Sequence, residues 1–332
     1  MTRRENIIAT VRHQAATWTP NVYTDIDLVL QSTVNERYEG KAVGKDEFGV
    51  SYTYVPEAGA PIVTPGSILL DDITQWEDAI HFPQVELYDW EEGARRDTAG
   101  WDRDNKFSAV MLYNGPFERM HAIIGFEEAL MALLTEPDAA FGFMHAFAEY
   151  RAKLIRHIAK HYKPDAIMLF DDYGTGNAMM MSPDVWRSII KPHLQKLIDA
   201  THECGMYYIA HSCGYIKPII ADFVNMGADI IHPMQYANNV KELKDAYQGR
   251  ITFTGGFNAL EILENPSASE QQKREEVRRG LAELAEGGSY IAWQTILDPA
   301  MKRIFLEEVM KDSIPKMRAA GAALPDWESI KF

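Results

Sequence analysis

Cysteine is scarce in this chain, with Cys204 and Cys213 the only two among 332 residues. No disulfide framework can therefore hold it together, and the pattern suits a reducing compartment. Long apolar runs are missing too: nowhere do the ~18 consecutive apolar residues of a membrane span occur. The first residues, Met1-Thr-Arg-Arg-Glu-Asn, begin a polar helix and lack the apolar centre of a signal peptide. A cytoplasmic protein is expected. Positive charge is in deficit, since 33 Lys and Arg against 48 Asp and Glu leave a formal charge of −15. That balance argues against nucleic acid and against anionic membrane surfaces as partners. No glycine-rich loop of the Walker or dinucleotide type is present to cradle a phosphate.

What the chain does contain is core and regularity. A hydrophobic share of 46% supplies a large interior, and the length suits one domain over residues 1–332, a barrel of about 250 residues with additions. Strands are expected at residues 18–23, 107–112, 165–170, 206–210, 229–235, 251–256 and 289–294. Helices are expected between them, at 2–14, 127–134, 138–161, 182–205 and 216–226. The fourth opens with Ser182 as N-cap, Pro183 at the first helical position and Asp184 in the first turn. Pro192 should bend it. Gly227 stops the fifth, and a capping box in Ser267-Ala-Ser-Glu270 starts a helix ahead of the last strand. Strands alternating with helices give an α/β fold with a parallel sheet, read as a (β/α)8 TIM barrel. Residues 40–105 do not fit the repeat. Alternation over 46–54, then Gly59, Pro61, Pro65 and Gly66, suggests a hairpin, so this N-terminal helical and hairpin excursion should pack on the barrel rim. It could dock a partner through exposed residues such as Tyr52, Tyr54 and Trp90, serve a homodimer, or merely cover the barrel.

In a barrel of this kind the chemistry sits at the C-terminal ends of the strands. His211 and Cys213 fall just after the strand at 206–210. Residues two apart in extended backbone point the same way, so an imidazole and a thiolate there can converge on one zinc ion. Cys204 closes a helix and reads as a small packing residue. Asp171 and Asp172 end another strand. They cannot both be helix caps, because the next helix already has Ser182, so one can orient a ligand, accept a proton or complete a metal shell. Both are taken as catalytic candidates. Glu118, His232, Gln235 and Gln294 also follow strands, although a cap or loop hydrogen bond would explain each equally well. Tyr23, Phe117, Tyr173, Tyr215 and Trp293 make the mouth aromatic, and Met179, Met180 and Met181 add an adaptable wall that could instead be plain packing. Tyr23, Phe117, Glu118, Tyr173, Met179, His232, Gln235 and Trp293 are therefore the candidate substrate-binding residues, for a flat or apolar organic molecule.

Seven stretches occur in order over residues 107–315: Gly115-Pro-Phe-Glu-Arg, Phe170-Asp-Asp-Tyr-Gly-Thr, Met181-Ser-Pro-Asp-Val-Trp, His211-Ser-Cys-Gly, Gly227-Ala-Asp, Lys244-Asp-Ala-Tyr-Gln-Gly-Arg-Ile-Thr-Phe-Thr-Gly-Gly and Gly287-Gly-Ser-Tyr-Ile. With them the chain resembles the uroporphyrinogen decarboxylase superfamily. The resemblance implies a (β/α)8 barrel and offers two branches, decarboxylases and zinc methyltransferases that work with corrinoid proteins. The decarboxylases carry an Arg-Gln-Ala-Gly-Arg motif that cradles substrate carboxylates. Here Arg12-His-Gln-Ala-Ala lacks the glycine and the second arginine. His211-Ser-Cys213 matches the His-x-Cys of the methyltransferase branch, but that branch often has a second cysteine after the last strand, and residues 293–298 contain none. The third ligand is left open among Gln294, Asp298, Asp171, Asp172 and Glu118. A site poorer in sulfur and richer in oxygen is a harder Lewis acid, suited to an ether oxygen. The resemblance therefore implies an O-demethylase-type methyltransferase that cleaves a small aromatic methyl ether and passes the methyl group to the Co(I) corrinoid (cobalamin) of a separate corrinoid protein. Methyl transfer to a coenzyme M type thiol, another methyl donor, decarboxylation, or a noncatalytic ligand-binding barrel are the alternatives.

Overall fold

The computed structural model describes residues 1–14, 16–56 and 59–332. Ala15, within the Arg12-His-Gln-Ala-Ala stretch, and Glu57 and Ala58, inside the expected hairpin, lie outside the described residues.

Short apolar runs bounded by turn signals form a parallel sheet. Its strands are β1 (Ile26–Leu30), β5 (Phe107–Leu112), β6 (Ala166–Phe170), β7 (Tyr207–His211), β8 (Ile230–Met234), β9 (Thr252–Gly255) and β10 (Tyr290–Ile291), hydrogen-bonded in that order. The two edges meet through a parallel bridge between Asn21 and Ala292. Ala292 donates its N–H to Pro20 at 2.8 Å, so the sheet curls into a TIM barrel. The strand expected at 18–23 takes a different form: residues 20–22 make the closing contact, then a single turn, α2 (Val22–Asp25), intervenes before β1. Asn21 is the cause, because its side-chain oxygen accepts the N–H groups of Tyr23 and Thr24 at 3.0 and 3.1 Å. A local Asx cap outweighs the strand preference of Val22 and Tyr23.

Inside the barrel, Ile26, Phe107, Ala109, Ala166, Met168, Ile209, Ile230 and Ile291 form one core, closed by Ile7 and Val11 of α1 (Arg3–Val11). A larger core fills the layer between strands and outer helices. Those helices are α5 (Pro116–Ile124), α6 (Phe126–Thr135), α7 (Pro137–His161), α8 (Pro183–Val185), α9 (Lys191–Glu203), α10 (Ile220–Met226), α11 (Val240–Tyr247), α12 (Glu270–Leu284) and α13 (Pro299–Ala319). Ser182 and Pro183 start α8 as read from the sequence. The expected bend at Pro192 takes the form of a π turn over Trp186–Ile190, where the missing proline N–H frees a carbonyl one turn back. The capping box before α12 is set by Ser269 with Gln272, two residues later than expected from Ser267.

Between β1 and β5 the chain leaves the repeat. β2 (Gly44–Lys45), β3 (Ser51–Val55) and β4 (Ala60–Val63) make an antiparallel sheet, followed by α3 (Trp76–Ala79) and α4 (Trp90–Asp97). Tyr52 and Trp90, expected to be exposed, are buried. Tyr52 donates its hydroxyl to Asp46, and the Trp90 indole N–H reaches the carbonyl of Val85 while its ring stacks on His157. Arginines from the outer helices hold this segment. Arg119 of α5 pairs with Asp46 at 2.7 Å and reaches the carbonyl of Glu36. Arg151 of α7 pairs with the Glu36 carboxylate at 3.1 Å. Both guanidinium groups are fully buried.

Candidate active site

Parallel pairing sets the site's floor. Phe170, His211 and His232 are lateral neighbours in register across β6, β7 and β8, so their side chains point the same way from adjacent strands. An arc of rings results. Tyr113 lies 4.6 Å from Phe170, Phe170 stacks on His211 at 3.9 Å, His211 is 5.0 Å from His232, and His232 is 4.2 Å from Trp293. His211 ends β7 itself instead of starting the loop, and Cys213 stands two residues on, in the loop.

Asp172 completes the group. Its carboxylate lies 3.7 Å from His211 Nε2, and Cys213 Sγ lies 3.5 Å from the same nitrogen. The three ligand atoms are within 4.8 Å of one another, and among the described residues no other such His, Cys, Asp and Glu group occurs. Two crossing loops hold the aspartate there. Gly174, after β6, and Gly214, after β7, touch backbone to backbone, so that a Cβ on Gly214 would fall 2.2 Å from the Gly174 carbonyl carbon. Tyr215 donates its N–H to Thr175 at 2.7 Å, and Cys213 donates its own to Asp172 at 2.6 Å.

Asp171, its neighbour, is engaged differently. It accepts the N–H groups of Phe117 and Glu118 at 3.2 and 2.8 Å and the hydroxyl of Tyr173 at 2.6 Å. It thus caps α5, whose own N-cap is Gly115 with no side chain to offer. A Cβ on Gly115 would sit 2.4 Å from that of Asp171. The expectation that Ser182 rules out a capping role for one aspartate overlooked the preceding helix. Glu118 turns its carboxylate to the Asn114 and Asp172 N–H groups at 3.1 and 3.3 Å.

Among the described residues no arginine or lysine forms an ion pair with this acid group, and Arg37 eases the charge on Glu118 only from a distance. Burial pushes the carboxyls of Glu118, Asp171 and Asp172 up, and repulsion from Asp172 adds to it at Glu118 and Asp171. Burial also pushes the Cys213 thiol up, with Asp172 beside it, and holds the His211 imidazole well below its ordinary value, so that it is neutral. A dication would reverse the penalties on the carboxylate and thiolate. The spacing suits one as well: nitrogen, oxygen and sulfur ligands 2.0–2.3 Å from a tetrahedral zinc stand about 3.4–3.6 Å apart.

The other expected residues divide. Gln235 accepts the Gly214 N–H at 2.9 Å and so braces the Cys213 loop. Gln294 is buried beside Trp293, with its carbonyl oxygen unpartnered. Asp298 is exposed and spent as the N-cap of α13, and among the candidate carboxylates Asp172 is the one that stands against His211 and Cys213. Met179 lines a groove of 630 Å³ with Met180, Met181, Leu133, Leu134 and Tyr215. Phe117 is buried among His121 and Phe126. Tyr23 precedes β1 instead of following a strand and packs on Phe305 and Phe332. Tyr113 and Phe170 were not among the candidates, although each continues the inward alternation of its strand (Met111 to Tyr113, Met168 to Phe170), which was the available signal.

The uroporphyrinogen decarboxylase (URO-D) family model matches residues 42–294, a span that contains Asp172, His211 and Cys213. Among solved structures, a methyltransferase from Methanosarcina mazei superposes with a TM-score of 0.65 at 14% identity, covering 94% of this chain and 99% of that one. At that identity the likeness speaks of the fold alone. The crystal structure of an uncharacterized protein reaches a TM-score of 0.30 at 14% identity, covering 52% of this chain and 48% of that one, and carries no argument. No curated protein matches the chain.

Proposed function

The chain belongs to the uroporphyrinogen decarboxylase family, and from that premise we propose that it is a methyltransferase which cleaves a methyl ether on an aromatic ring and delivers the methyl group to the Co(I) corrinoid of a separate protein. One observation carries the reading: Asp172, His211 and Cys213 converge with a single sulfur among them. Zinc, when held by these three residues, would supply Lewis acidity to an ether oxygen. A second thiolate would soften such a site and favour a thiol substrate.

The chain's own residues then have distinct tasks. Tyr113, Phe170 and Trp293 offer faces and edges on which a flat arene can stack. When the carbon–oxygen bond breaks, its electron pair stays with the phenolate oxygen. Glu118, kept protonated by burial beside Asp172, can hold a proton for that oxygen. Asp171 orients Glu118 by gripping the first turn of α5. Arg37, just ahead of the excursion, flanks the mouth with its guanidinium over the Tyr113 ring at 4.9 Å, and the excursion over residues 40–105 that follows is proposed as part of the surface that receives the corrinoid protein. A decarboxylase acting on a polycarboxylate is disfavoured, because the residues beside the triad are acids.

The test is metal analysis together with a screen of methoxyarenes against a reduced corrinoid protein. The expected result is about one zinc per chain and methyl transfer that depends on both the corrinoid protein and Cys213. Full activity of Cys213→Ala with no metal bound, or turnover without the corrinoid protein, would overturn the reading.

A further inference from the structure

His232 was expected to touch substrate, yet its nearest polar neighbour is another histidine. Its Nδ1 lies 2.9 Å from His211 Nδ1. Both rings are buried, at 3% and 8% exposure, and both are wedged, His211 against Phe170 and His232 against Trp293. Their backbones are locked as well, since Ser212 donates its N–H to the His232 carbonyl at 2.9 Å. Pro233, next in β8, has no N–H to give, and the β8–β9 register shifts between Ile231 and Met234. The strand irregularity thus falls at the residue that faces His211.

Two ring nitrogens at this distance share one proton, which belongs to one ring or the other. His211 Nε2 is the nitrogen that faces Cys213 and Asp172. To offer a lone pair there, a neutral His211 must carry its proton on Nδ1. His232 must then accept with Nδ1 and carry its own proton on Nε2. That nitrogen is buried and has no hydrogen-bond partner, so an unpaired N–H there is a cost this assignment carries, and the assignment rests on the lone pair that His211 Nε2 must present beside Cys213 and Asp172.

We propose that His232 is a positioning residue, a neutral imidazole whose Nδ1 accepts the His211 Nδ1–H and thereby fixes the tautomer and ring plane that present His211 Nε2 to the metal. Neighbours of this kind are carboxylates or carbonyls in most metal sites. A histidine acceptor suits a mouth that already holds three acids, because it directs the ligand without adding a fourth negative charge. The inference rests on the proposed metal role of His211, and it can fail separately from it.

The experiment uses the full chain with 15N-labelled histidine. In metal-free wild-type protein, ring nitrogen shifts should report His211 as the Nδ1–H tautomer and His232 as the Nε2–H tautomer. Zinc affinity, measured by competition with a chromophoric chelator, should fall about 10–100-fold in His232→Leu. It should stay within about threefold of wild type in His232→Gln, whose amide oxygen can still accept. Should the leucine variant fail to fold, the wild-type tautomers and the glutamine variant still decide the matter. An Nε2–H tautomer of His211, or wild-type zinc affinity in a folded His232→Leu, would overturn the proposal. The expected tautomers with no zinc bound at all would instead overturn the metal reading, and this proposal with it.

Discussion

Two clusters of buried acids, one in the segment between β1 and β5 and one at the barrel mouth, are treated in opposite ways. Glu36 and Asp46, from the segment between β1 and β5, meet Arg151 and Arg119 at 3.1 and 2.7 Å. Tyr150 and Tyr52 add hydroxyls to the same carboxylates. Glu118, Asp171 and Asp172 at the mouth receive N–H and O–H groups but, among the described residues, no ion pair from an arginine or lysine. In the first cluster charge is cancelled by the chain itself, so the cluster can only hold structure together. In the second, the burial cost is left standing and raises the carboxyls. An uncancelled cost of that kind at the C-terminal ends of barrel strands marks a place where a cation or a reacting group belongs.

The comparison breaks most sharply at Arg119. Replacing it by methionine strands Asp46 in a site where both side chains are fully inaccessible, and should cost about 3–5 kcal/mol in chemical denaturation. Asp172→Asn in metal-free protein should change stability by less than about 1 kcal/mol. The amide oxygen can still accept the Cys213 N–H, and an uncompensated charge is removed. Equal losses from both substitutions would mean that the two clusters do not differ in kind.

A slightly smaller effect sharpens the other side. If the mouth is where a cation belongs, zinc at about 1,000 times its dissociation constant should stabilise the protein by about 4 kcal/mol. Thermal unfolding with and without zinc would register it. His211→Ala and Cys213→Ala should lose the gain, whereas Arg119→Met should keep it on a lower baseline. An unfolding temperature indifferent to zinc would remove the metal from the site.

Much of this contrast was legible in the sequence and some of it could not be. Strand ends are local, so His211, Cys213 and Asp172 could be placed at the mouth from apolar runs and turn residues alone. What Asp171 does depends on a helix that starts 55 residues earlier, since its partners are the N–H groups of Phe117 and Glu118. Residue spacing carries no record of that contact. Arg119 was visible as the lone cation on the apolar stretch of α5, yet its partner Asp46 lies in a hairpin whose docking no periodicity announces. Tyr52 and Trp90 were misjudged for the same reason: an excursion that packs against α5 and α7 buries its aromatics, and only tertiary contact decides this. The tautomer of His211 hangs on strand register, which a one-residue slip would erase.

The smallest of the three effects asks whether burial without a cation is costly away from the mouth as well. Asp25, in the turn before β1, is such a case. Its carboxylate accepts the Thr24 hydroxyl at 2.7 Å and the Asn21 N–H at 3.1 Å, while Arg3 spends itself on the Thr24 carbonyl and on Asp102. Burial pushes the Asp25 carboxyl up to about 6. An acid whose pKa is raised on folding binds its proton more tightly in the native state. Its contribution is therefore neutral below the unfolded value, turns unfavourable as pH rises from about 4 to about 6, and stays unfavourable above that. A shift of roughly two units amounts to about 3 kcal/mol at neutral pH. Asp25→Asn keeps one acceptor oxygen and cannot ionise, so its stability relative to wild type should climb by about that much between pH 4 and pH 7. Denaturation of the two proteins across that range isolates the residue, because every other titrating group is common to both. A flat difference would show that the Thr24 and Asn21 hydrogen bonds are enough to hold a buried carboxylate, and the acids at the mouth would then need no cation to explain them.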